Sequence, residues 1–139
     1  MSTEQNKALA KHLFEEVWNS KNLTVLDELL ASNFVFHNSV QTLYGLAGFK
    51  QFATTYHKAF PEARFTIEDA IAEGDTVVLR WSVRGVHTGA LMGIPPTGKE
   101  VIVTGITITL LSNGKSVESW GEFDALGMLQ QIGVIPKMG

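Results

Sequence analysis

Cysteine is absent from the 139 residues, which removes disulfides, thiol nucleophiles and thiolate metal sites together. Charge is scarce: Asp, Glu, Lys and Arg make up 18% of the chain, against roughly one quarter in an average globular protein. The eleven basic residues are spread out under a formal net charge of -3. They form no basic stripe for phosphates to follow, so nucleic acid is not expected as a partner. No apolar run approaches the roughly 18 residues that a bilayer crossing needs. The polar start, Met1 to Asn6, lacks the apolar core of a signal peptide, so a cytoplasmic protein is expected. A glycine-rich phosphate loop, HExxH and GxSxG are all missing. His12, His37, His57 and His87 fall in different elements without ligand spacing, so no metal site is expected.

What is present is 45% hydrophobic residues, arranged first with helical and then with strand periodicity. Ser2 or Thr3 can cap a first helix, with Gln5 as a capping-box partner and a stripe of Leu9, Leu13, Phe14, Val17 and Trp18. Asn19 to Asn22 breaks it. A short second helix follows, capped by Thr24 and burying Leu26, Leu29 and Leu30, and then a short strand, Phe34 to His37. A third helix from about Leu46 to Phe60 carries Phe49, Phe52, Ala53, Tyr56 and Phe60 before Pro61. Beyond it apolar residues alternate with period two. Strands are expected around Phe65 to Ile71, from Thr76 to about His87, from Glu100 to Leu111 and from Lys115 to Phe123, with Asn113-Gly114 as a hairpin turn. Asp124 can cap a last helix, Ala125 to Ile132. This order predicts one α+β domain over residues 1–139, with a meandering antiparallel sheet and its helices on one side. The strand from Val101 to Leu111 is apolar on both faces, so both should be covered. The helices can cover one; a second copy of the chain is the simplest cover for the other, and a homodimer is expected.

Two strands carry the candidate chemistry. Glu118, Trp120, Glu122 and Asp124 share a face if the last strand is extended. Carboxylates beside an indole suit the mouth or floor of a cavity, where an apolar setting raises a carboxyl pKa toward the range useful for proton transfer. Asp124 equally serves as a helix cap, and Glu118 as an exposed strand residue. On the second long strand Leu79, Trp81, Val83 and His87 form one face and Arg80, Ser82 and Arg84 the other. Arg80 can orient a carboxylate or ligand, or pair across the sheet with Glu118 or Glu122. His87 and His37 are pocket candidates or ordinary satisfied histidines. Trp18 and the aromatic stripe of the third helix read as core.

A family resemblance runs in order along nearly the whole chain. Glu16-Val17-Trp18-Asn19, Ala59-Phe60-Pro61, Gly74-Asp75-Thr76-Val77, Arg80-Trp81 and Gly85-Val86-His87-Thr88-Gly89 resemble the SnoaL-like polyketide (ester) cyclases. So do Gly93-Ile94-Pro95-Pro96-Thr97-Gly98-Lys99, Trp120-Gly121-Glu122-Phe123-Asp124 and Gln131-Ile132-Gly133-Val134. The resemblance implies a nuclear-transport-factor-2-like cone, a curved antiparallel sheet wrapped around N-terminal helices and enclosing a deep apolar pocket. It also implies an intramolecular aldol cyclase without metal or cofactor, with Asp124 in the acid–base position. Arg80 and Trp120-x-Glu122 match the arrangement of related epoxide hydrolases. The expected catalytic residues are therefore Asp124 and Glu122. The expected pocket set is Trp120, Arg80, Trp81, His87, His37, Met92, Phe52 and Tyr56, around an apolar small-molecule substrate of polycyclic or polyketide type. A non-catalytic binding module, its pocket plugged by Trp81, Trp120 and Met92, is the alternative.

Overall fold

The computed structural model describes residues 1–137. Helix α1 (Thr3–Trp18) opens with the full capping box between Ser2 and Gln5. It buries Asn6, Ala10, Phe14 and Val17, spaced by three and four, while Leu9, Leu13 and Trp18 flank that stripe half-buried. A 3-10 turn (Leu23–Val25) leads into α2 (Leu26–Leu29). The expected cap at Thr24 is not made: Thr24 lies within the 3-10 turn, and its hydroxyl donates to the Asn22 side chain. Leu30, expected on the second helix, instead begins strand β1 (Leu30–His37). A short β2 (Thr42–Tyr44), for which the pattern had no signal, turns back along it before α3 (Gly45–Ala59).

Strands β3 (Arg64–Glu73), β4 (Thr76–Val86), β5 (Glu100–Ser112) and β6 (Lys115–Phe123) follow, then α4 (Ala125–Gln131). The sheet order is β2-β1-β6-β5-β4-β3. The β3–β6 meander is antiparallel as expected, but β1 lies parallel to β6, so the sheet is mixed. The intervening α3 and β3–β5 carry the chain across the sheet and return it running in the same direction as β1, a crossover that local periodicity cannot reveal.

The curved sheet wraps its inner face around α1 and α3. Two glycines set how closely that face is approached. A Cβ at Gly105 would lie 2.2 Å from the Trp81 ring, and one at Gly121 2.7 Å from Phe36. Aromatic rings rest directly on the sheet backbone at both places. The Asn113-Gly114 turn has φ values of 52° and 78°, as a two-residue hairpin of the primed type requires. Among the described residues, no helix is long and apolar enough to cross a membrane.

Candidate functional site

Between α1, α3 and the inner face of the sheet lies a cavity of about 140 Å³, its wall overwhelmingly apolar. Helix α3 contributes Phe49, Phe52, Tyr56 and His57; α1 contributes Phe14, Val17 and Trp18; the sheet contributes Phe36, Trp81, Val103 and Thr107. Four titratable residues border the cavity: Lys21, Tyr56, His57 and Glu122, the last with its side chain on the outer face of the sheet.

His57 is the unusual one. It follows Phe49 and Ala53 at four-residue intervals, so helical geometry turns it toward the core. Its ring meets Trp18 edge-on, 5.6 Å between centroids. Its Nε2 is buried without a hydrogen-bond partner. Burial, together with the Lys21 ammonium, lowers its pKa below the ordinary 6.5, and a backbone hydrogen bond at Val17 opposes the shift only in part. The ring is thus a neutral imidazole at pH 7. Tyr56, packed against Phe52 and Phe123, has its pKa raised by burial and stays a phenol. The Lys21 ammonium donates to the Pro61 carbonyl.

Most of the hydroxyls on the cavity floor are engaged with one another or with backbone. Thr109 and Ser116 share a hydrogen bond of 2.6 Å, and Ser119 donates to the Ile108 carbonyl at 2.9 Å. Thr107 accepts a hydrogen bond from the Trp81 indole N–H at 3.0 Å.

Of the residues expected from sequence, Phe52, Tyr56 and Trp81 line this cavity, and Glu122 touches its lining. The others are placed elsewhere. Glu118, Trp120 and Glu122 do share a face, but it is the outer one; Ser119, Gly121 and Phe123 face the cavity. A bulge where β6 passes Leu110 and Leu111 sets this phase, bringing the small Ser116 and Ser119 inward. Asp124 is exposed and caps α4, its Oδ1 accepting from the Gly127 N–H at 2.9 Å. Arg80 pairs at 2.6 Å with Asp69, its register partner on β3. The expected pairing with Glu118 or Glu122 is not made, because β5 lies between β4 and β6. Arg80, Glu122 and Asp124 do border one shallow outer depression over Thr104 and Ile106.

His37 bonds Glu118 at 2.6 Å and stacks on Trp120, 5.4 Å between centroids, outside the cavity. His87 is wholly buried beneath Phe60. Its Nδ1 accepts from the Thr97 N–H at 3.2 Å and bonds the Thr97 hydroxyl at 3.0 Å, holding the loop after β4. Met92 is exposed on that loop. His57, which histidine spacing gives no reason to single out, reaches the cavity through its four-residue offset from the buried Ala53 of α3. Among the described residues, no group of three or more His, Asp or Glu side chains is placed to hold a metal ion.

A helix-filled, curved sheet enclosing an apolar cavity is the ketosteroid isomerase-like architecture. A protein of that fold from Catenulispora acidiphila superposes with a TM-score of 0.73 at 17% identity, over 88% of this chain and 90% of its own. At closer range, the model of the SnoaL-like polyketide cyclases matches residues 8–132, and the chain belongs to that family. It is similar to a proposed SnoaL-like polyketide cyclase from Jannaschia sp. CCS1, with 27% identity, 96% and 95% of the two chains covered and a TM-score of 0.89. IdmH, a proposed polyketide cyclase from Streptomyces antibioticus, is 30% identical, with 94% and 99% covered and a TM-score of 0.79. No curated protein sequence matches this chain.

Proposed function

We propose that this chain is a cofactor-independent cyclase or isomerase for an apolar, carbonyl-bearing small molecule, with His57 as the group that takes the proton. The observation that carries this reading is a neutral imidazole with an unpartnered buried nitrogen in the wall of an almost wholly apolar cavity. In an aldol closure His57 Nε2 accepts a proton from the carbon beside one carbonyl. The resulting enolate carbon attacks a second carbonyl of the same molecule, and the imidazolium returns the proton to the new alkoxide. A histidine held neutral near pH 7 is matched to this exchange. Family membership supports the cyclase class. The cavity volume resembles the roughly 150 Å³ that admits one benzene, so a single ring or chain end of a polyketide is the portion that enters.

His57→Gln and Asp124→Asn separate the two candidate bases, using heptane-2,6-dione, whose cyclic β-hydroxy ketone loses water to a cyclohexenone with a new ultraviolet absorbance. His57→Gln is expected to lower turnover about 100-fold or more, the usual contribution of a general base. Asp124→Asn should stay within about twofold, because Asn caps a helix as well as Asp does. The opposite result returns the base to Asp124.

We further propose a homodimer through the outer sheet face. Ile102 and Ile106 are 50% and 46% exposed there, and Trp120 is 38% exposed on the neighbouring strand. A second copy of the same face is apolar in the same places.

A further inference from the structure

We infer that the Thr107 hydroxyl, held by the Trp81 indole, anchors the carbonyl oxygen of the ligand, so that the cavity takes neutral apolar ketones and esters. This rests on the cavity being the binding site. A threonine hydroxyl has one proton to donate and two lone pairs. The Trp81 N–H occupies a lone pair and leaves the proton unspent. Among the described residues Thr107 makes no second hydrogen bond, whereas Ser119 has an acceptor already and the Thr109–Ser116 pair spends one of its two protons internally. A half-buried hydroxyl in the cavity wall with an unspent proton favours any ligand that brings an acceptor. The indole N–H also polarises the hydroxyl it binds, strengthening it as a donor. Such a donor grows more valuable as the carbonyl oxygen gains charge during enolate formation. A neutral ligand fits the rest of the lining, which is overwhelmingly apolar and among the described residues offers Lys21 as its one cation, already donating to the Pro61 carbonyl.

Two isosteric probes isolate the carbonyl: acetophenone, and α-methylstyrene, in which a CH₂ replaces the oxygen. Their affinities are measured by calorimetry for the wild type, Thr107→Val and Thr107→Ser. Thr107→Val is expected to weaken acetophenone by about tenfold, the worth of one hydrogen bond, and to leave α-methylstyrene unchanged. Thr107→Ser should bind both as the wild type does. The infrared carbonyl stretch of bound acetophenone should fall in the wild type and in Thr107→Ser. That reading needs no valine variant to fold. Equal effects on both probes, or an unshifted carbonyl stretch, overturn the Thr107 assignment while leaving the cavity as the site. Failure of both probes to bind the wild type overturns the assignment and the cavity reading together.

Discussion

Residue by residue, the contacts of highest consequence are those where one atom has no room or no partner. Gly105 has no room: a Cβ there would lie 2.2 Å from the Trp81 ring. Gly105→Ala is expected to cost about 1–3 kcal/mol or more, the usual range for overpacking, seen as a lower midpoint in urea unfolding. The His57 Nε2 has no partner. Its pKa is lowered in the folded protein, so the unfolded chain takes up the proton first as pH falls. Its contribution to stability is complete above the unfolded value near 6.5 and is lost as pH drops toward the lower folded value. The wild type should therefore lose more melting temperature between pH 7.5 and 5.5 than His57→Gln does. Equal losses would show that the imidazole is as easily protonated folded as unfolded.

At the level of elements, side chains finish what backbone periodicity leaves open. The exposed edge of β3 is partly closed by one residue of the α1 C-cap. Asn19 donates to the Phe65 carbonyl at 2.9 Å and accepts from the Phe65 N–H at 2.8 Å, so its amide imitates a neighbouring strand. Asn19→Ala strands both backbone groups and should destabilise by about 1–3 kcal/mol, with faster amide exchange at Phe65 as the local signature. If Phe65 exchange is unchanged, the Asn19 contact is not what protects that edge. Asp124 does the corresponding work for α4, its carboxylate accepting from the Gly127 N–H at the end of β6.

For the whole molecule, the open question is what covers the outer face. Ile106 sits among Arg80, Glu122 and Asp124 on that face, and a charge at its centre should block self-association. Sedimentation is expected to show a dimer for the wild type and a monomer for Ile106→Glu, since a stable interface of roughly 1,600 Å² cannot readily bury an unpaired carboxylate. A monomeric wild type at micromolar concentration refutes the interface. Much of the architecture was legible beforehand. The helical stripes, the period-two strands, the Asn113-Gly114 turn and the Asp124 cap are local patterns, set by backbone geometry within a few residues. The same alternation grouped Glu118, Trp120 and Glu122 on one face of β6. Which face meets the cavity was not local. It depends on the bulge opposite Leu110 and Leu111, on the parallel seating of β6 beside β1 and on what packs from α1 and α3. The tertiary structure alone therefore turned the carboxylates outward and paired Arg80 with Asp69. It also brought His57, Trp81 and Thr107 into one cavity from three separate elements, because long-range packing decides which of two equivalent strand faces is buried.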